Sequence, residues 1–263
     1  MSQLDTAAEY DENTIRFLEA LWGDGYLSPG GPSEVDCVVE NVSLEGLRGL
    51  DIGCGSGGVT KHLVVKHNAA HVTGFDIEGP VIEAALLRAA RSSLSDRLTF
   101  IHGLPGPLPF DDESFDFVFS KDAILHAPDK QALFGEIWRV MKPGSFFVAS
   151  DWLISHDGEP SEDMRAYIAA EGLSFHMESP EFYDHALKST GFINVSMRDR
   201  NPWYRNEART EIERLETSKH EEISAVAGND YLEKNIRTWK AMLKVLDSGE
   251  HRPTHLLAWK AAN

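Results

Sequence analysis

The sequence predicts a doubly wound α/β fold with a mainly parallel sheet and a helical cap. Three observations carry that prediction. Short apolar strands alternate with helical stretches in units of roughly 25–30 residues, the rhythm of right-handed βαβ crossovers. A glycine cluster follows the first strand, at 53–58. Polar residues recur where strands end, at Asp51, Asp76, Lys121-Asp122 and Asp151, the edge of such a sheet where ligands bind.

In order, ENTIRFLEALW at 12–22 spaces Ile15, Leu18, Leu21 and Trp22 as one helical face,. A Gly/Pro-rich loop follows at 23–32, and Leu50-Asp51-Ile52 closes a strand,. A helix over about 58–67, a strand at 71–77, a helix at 80–92 and strands at 98–101 and 115–120 come next,. DKQALFGEIWRVM at 129–141 reads as a helix, Lys142-Pro143-Gly144 as a turn and 145–151 as a fifth strand. Beyond 152, residues 160–190 look helical, with Gly191 as a C-cap,. Residues 209–246 read as two helices and HLLAWKA as a final strand. The expected division is a lid and ligand-binding core at 1–151, then a cap and the last strands of the same sheet at 152–263.

Lysine and arginine total 25 against 42 aspartates and glutamates, a net charge of −17. That field repels phosphate backbones and anionic headgroups, so neither nucleic acid nor a membrane is an expected partner. Two cysteines imply no disulfide framework, the N-terminus is polar and acidic, and no apolar run is long enough to span a bilayer,. A cytoplasmic protein acting on a small molecule is expected, with no metal at its site.

The sharpest motif is Leu50-Asp51-Ile52-Gly53-Cys54-Gly55-Ser56-Gly57-Gly58. Glycines after a strand let the backbone turn tightly against a ligand. Gly53-x-Gly55-x-x-Gly58 also satisfies the dinucleotide fingerprint, with Asp76 in range for a ribose. Asp51 separates the two readings. A carboxylate there opposes a diphosphate, yet it suits the cationic amino group of methionine. Asp76 suits two ribose hydroxyls, because a carboxylate accepts both hydrogen bonds.

These residues resemble the class I S-adenosylmethionine-dependent methyltransferases, and FDFVFSKDAILH with RVMKPG extends the likeness over about 50–151. The stretch from Tyr10 through Trp22-Gly23 to Tyr26-Leu27-Ser28-Pro29-Gly30-Gly31, with Asp122-Ala-Ile-Leu-His126, is similar to the phosphoethanolamine N-methyltransferases. Pro180-Glu-Phe-Tyr183 and Asp230-Tyr231 resemble the sarcosine/dimethylglycine N-methyltransferases. The resemblance implies a Rossmann-like fold and S-adenosylmethionine as cofactor, held by Asp51, Gly53, Gly55, Gly57, Asp76, Ile77, Leu104 and Lys121. It implies a Tyr10–His126 pair closing over the substrate, with Asp122 near its ammonium and Tyr26 and Ser28 beside it. Such enzymes usually carry an acid after the third strand for the adenine amino group. Here that loop reads His102-Gly103-Leu104-Pro105-Gly106, leaving backbone carbonyls, Asp111 or Asp112.

Arg198, Arg200, Arg205 and Arg209 interleave with Trp203 and Tyr204. A guanidinium fork holds a carboxylate and aromatic faces hold methylated ammonium, so Arg205, Trp203 and Tyr204 are the substrate candidates. The phosphobase enzymes set an arginine and a tyrosine against phosphate, where this chain has Leu173 and Phe175. The expected substrate is therefore a small amine or amino acid of glycine, sarcosine, dimethylglycine or ethanolamine type. The alternatives are a C- or O-methyltransferase of a small hydrophobic metabolite such as a quinone, and a cofactor-binding protein without catalysis.

Overall fold

The computed structural model describes residues 10–262. Its sheet has seven strands in the order β3-β2-β1-β4-β5-β7-β6. They are β1 (Arg48–Ile52), β2 (His71–Asp76), β3 (Leu98–His102), β4 (Phe115–Lys121), β5 (Met141–Ile154), β6 (Ile193–Asp199) and β7 (His251–Trp259). The first five run parallel, while β7 lies antiparallel between β5 and β6. Strand order reverses between β1 and β4, the switch point where open α/β sheets bind ligands.

Alternation along β4 shows why both faces need helices. Phe117 and Phe119 pack with α2 (Gly31–Val38) and α3 (Gly58–Val65), where Val35 and Leu63 are buried. Val118 points the other way, toward Ile137 of α5 (Lys130–Val140) and Leu187 of α7 (Pro180–Thr190),. α4 (Gly79–Ala90) completes the crossovers, with Pro80 preset in its first turn,.

A third core forms the cap. α1 (Glu12–Trp22) joins α6 (Glu162–Glu171), α8 (Asn201–Glu216), α9 (His220–Ala227) and α10 (Asn229–Ser248) there. Asp11 caps α1 by accepting from the Thr14 amide at 2.7 Å,. Glu211 is buried between two indoles, accepting from Trp22 Nε1 and, at 2.8 Å, from Trp239 Nε1. Burial pushes its carboxyl up to about 7, against the pull of those hydrogen bonds. Among the described residues no helix is long and apolar enough to cross a membrane.

Three expectations need correcting. The 23–32 loop already contains the start of α2, with Pro32 at its first turn. Lys142-Pro143-Gly144 is not a separate turn: β5 starts at Met141, and Gly144 takes φ +80° within it. Residues 209–246, expected as two helices, hold the end of α8, all of α9 and most of α10, because Thr217 and Gly228 break the segment twice.

Candidate active site

A cavity of about 760 Å³ opens at the β1/β4 switch point. One wall is the turn after β1. Gly53 takes φ +71°, and a Cβ there would sit 2.2 Å from Ala123 Cβ. Gly55 takes φ +52° and gives its amide to Asp76 Oδ2 at 2.9 Å. Asp76 Oδ1 accepts from the Glu78 amide at 3.0 Å, so the carboxylate ties the ends of β1 and β2 together. Burial raises the Asp76 carboxyl despite those amides.

Asp51 is fully buried at the centre of this wall. Its Oδ2 accepts from Thr60 Oγ1 at 2.7 Å, and its Oδ1 has no partner among the described residues. Desolvation pushes the carboxyl up to about 7, with the neighbouring charge of Asp76 adding to the rise. A buried carboxylate oxygen without a donor beside a cavity fits a cationic ligand group.

The other wall follows β4 and carries the residues that could meet an acceptor. Lys121 is almost wholly buried, and its ammonium donates to Ser28 Oγ at 2.7 Å, Pro29 O at 3.0 Å and Asp122 Oδ2 at 2.6 Å. Three acceptors match the three protons of an ammonium. Lys121 thus latches the loop ahead of α2 onto the sheet. Asp122 sits at φ +52°, uncommon for a residue with a Cβ,. Its Oδ1 accepts from Ser150 Oγ at 2.8 Å, and Tyr204 OH donates to Oδ2 at 3.3 Å.

His126 closes a short 3₁₀ turn, Ile124–His126. Asp151 of β5 holds that turn by accepting from the Leu125 amide at 3.2 Å and from Tyr183 OH. The ring Nδ1 lies 3.1 Å from Ser174 O. A carbonyl can only accept, so Nδ1 donates a hydrogen to it. Tyr10, the first described residue, lines the same cavity.

Of the residues singled out in the sequence, the structure brings Asp51, Gly53, Gly55, Asp76, Ile77, Leu104, Lys121, Asp122, His126, Tyr10 and Ser28 to this cavity. Others lie elsewhere. Gly57 takes φ +86° at the start of α3, and a Cβ there would meet Phe100 and Ala85, so it serves packing rather than the cavity. Tyr26 packs edge-on against His62, its phenol raised to about 12 by burial and by Asp36 and Asp24. Trp203 lies under Gly30 and beneath the Arg200 guanidinium, and Tyr204 reaches Asp122 from behind the cavity.

Arg205 pairs with Asp247 at 3.5 Å, as does Arg209 at 2.6 Å. Arg200 forks onto buried Glu34 at 2.6 and 3.0 Å, and Arg198 binds Glu40 and the Cys37 carbonyl. The arginine cluster is a set of ion pairs, two within the cap and two to α2 and the residues just after it, and no arginine is among the described residues lining the cavity. Sequence reasoning missed Glu78, Asp129 and Glu136, which do line it. Glu136 accepts from the Leu108 amide at 2.8 Å, whereas Asp112 turns away to Arg139.

Residues 50–149 match the family model of the methyltransferase domain. The strand order around the glycine wall beside Asp51 and Asp76 is that of a Rossmann-like methyltransferase fold. Over 93% of its length the chain is 33% identical to phosphoethanolamine N-methyltransferase 1 of Zea mays and 32% identical to that of Arabidopsis thaliana. It covers 48% of each, so it spans about half the length of these curated relatives. The solved structure of Haemonchus contortus phosphoethanolamine N-methyltransferase 2 with phosphomonomethylethanolamine and S-adenosylhomocysteine superposes with TM-score 0.87. That match has 25% identity and covers 97% of this chain and 59% of that one. A protein described as a sarcosine dimethylglycine methyltransferase from Galdieria sulphuraria shares the fold, with TM-score 0.82 at 21% identity over 96% of this chain and 98% of that one.

Proposed function

We propose that this chain transfers the methyl group of S-adenosylmethionine to the nitrogen of a small amine that carries no phosphate. The glycine turn and the two acids beside it suit the cofactor: Asp51 for the methionine ammonium, Asp76 for the ribose hydroxyls. When bound, S-adenosylmethionine supplies an electrophilic methyl on a sulfonium. The protein's own task is to position the amine and take up its proton. His126 is the base of this reading, held beside the cavity by the contact of its Nδ1 with Ser174 O.

The observation that carries the choice of substrate is the cavity lining, which among the described residues holds no arginine to fork onto a phosphate; an aromatic cluster stands behind His126, outside that lining,. Phe175 packs on the His126 ring at 5.5 Å and on Trp152 and Tyr167 at 5.9 and 6.3 Å. Both of those rings flank His251. His251 is fully buried and desolvation brings it down to about 4, so it is neutral at pH 7. Its Nδ1 faces the Leu153 carbonyl at 3.3 Å, which leaves Nε2 as a lone pair with no partner among the described residues. A lone pair among aromatic faces suits an ammonium or a hydroxyl.

A methylation screen over ethanolamine, its phosphate, glycine, sarcosine and dimethylglycine, read by S-adenosylhomocysteine release, tests the proposal. Preferred turnover of ethanolamine phosphate would overturn the substrate assignment. Val81, Leu104, Leu108, Ile124 and Leu133 of the cavity lining suit an apolar acceptor, so methylation of a sterol or quinone, with no amine turned over, would favour the C- or O-methyltransferase reading.

Asp76→Ala is expected to weaken S-adenosylmethionine binding by about 10- to 150-fold, or about 1.5–3 kcal/mol. It removes the ribose acceptor and also the acceptor of the Gly55 and Glu78 amides. Unchanged affinity by calorimetry would take Asp76 out of the site, and tight competition by NADH would point to a dinucleotide instead.

A further inference from the structure

A second convergence of ligating atoms lies outside the cavity, between α2 and α3. Asp36 belongs to α2, His62 to α3, and His67 follows two residues past the end of α3. The Nε2 atoms of both histidines lie 2.7 Å from the same oxygen, Asp36 Oδ1. The three ligating atoms all fall within 4.8 Å of one another. The imidazoles meet edge to face at 5.4 Å, with the His62 and His67 side chains 15% and 21% exposed and Asp36 41%. Burial works to raise the Asp36 carboxyl, but hydrogen bonds from both histidines outweigh it, so Asp36 is a carboxylate below its ordinary range.

We propose that Asp36, His62 and His67 form a three-ligand site for a divalent transition metal of the zinc class, with a fourth position open to water. Two imidazoles and a carboxylate are a donor set that zinc accepts. Zinc binds such atoms at about 2.0–2.2 Å in a tetrahedral arrangement. The three side chains then need to spread by roughly half an ångström, a shift that small χ rotations supply. The Tyr26 ring, 6.4 Å from His62, walls one side.

The place of this cluster in the fold gives the metal a consequence. α2 begins just after Ser28 and Pro29, which Lys121 latches to the sheet. α3 begins at Gly58, whose amide donates to Gly25 O in the lid loop at 3.0 Å. A Cβ on Gly58 would lie 2.4 Å from that oxygen, so the two backbones already touch. An ion between α2 and α3 cross-links the base of the lid to the helix that starts from the cofactor turn. No single stretch of sequence displays this set, because Asp36 is 26 residues from His62.

The test uses chelator-treated full-length chain titrated with zinc chloride by calorimetry, and with cobalt chloride for the visible bands of a nitrogen- and oxygen-ligated ion. One saturable site per chain is expected, with a zinc-dependent rise in melting temperature. His62→Gln and His67→Gln are each expected to weaken binding by at least about tenfold and to abolish that rise. Circular dichroism and metal-free melting identify any variant that fails to fold, and His67, beyond the helix end, is the safer of the two positions. Absence of saturable one-to-one binding in the wild type overturns the proposal. So does binding that survives in both folded variants.

Discussion

Replacing Asp51 by asparagine is expected to weaken S-adenosylmethionine binding by at least about 30-fold, because removing one partner of a buried charge pair costs about 2–5 kcal/mol. The same change is expected to stabilise the chain without ligand. In the folded protein the carboxyl titrates near 7 rather than at its ordinary 3.8, chiefly through desolvation. A raised carboxyl pKa means the folded state holds its proton longer than the unfolded state. Asp51 therefore lowers stability as pH rises from about 4 to about 7, with no such penalty below that window and a constant one above it. The melting temperature of Asp51→Asn is expected to exceed that of wild type at pH 8, the gap closing toward pH 4. Wild-type affinity for the cofactor is expected to climb with pH through about 7 as the carboxylate forms. Affinity flat across that range would separate Asp51 from the ligand's ammonium.

Turnover by His126→Ala is expected to fall about 10²- to 10⁴-fold, the usual worth of a positioned general base. A primary or secondary amine arrives as ammonium, and its lone pair appears only after deprotonation. If His126 takes that proton, the variant's rate recovers as pH approaches the amine's own pKa, where solvent suffices. If the ring merely orders the N-terminal lid with Tyr10, the loss is flat with pH and Tyr10→Phe reproduces it. Wild-type rate at every pH would end both roles.

The parts legible in the sequence were those whose cause is local. Residues 12–22 form α1 as their spacing predicts, and the glycines after β1 and the acid ending β2 announce the cofactor wall by themselves. β6 escaped because most of its seven residues are exposed, so no alternation marks it. α2 escaped because Gly30, Gly31 and Pro32 read as loop signals, although a proline in the first turn also starts a helix,. The arginine cluster misled because the acids that neutralise it, Glu34, Glu40 and Asp247, come from other elements. Lys121 and Ser28 were read as ligand contacts; 93 residues apart, they are first of all partners of each other.

The place of β7 in the sheet sets the order in which the molecule can be completed during synthesis. β6 has no strand neighbour other than β7, and the pairs Phe146↔Trp259 and Ile193↔Trp259 join distant parts of the chain. Once Asp199 has left the ribosome, roughly fifty more residues must follow before His251 emerges, about 3–10 s of translation. Through that interval β5 and β6 present open edges, the state in which nascent sheets invite wrong partners. Tyr204, which reaches Asp122 from just beyond β6, is made during that interval. The residues that line the cavity, all between Tyr10 and Glu136, are therefore synthesised before the supports that Ser174 and Tyr204 bring to His126 and Asp122.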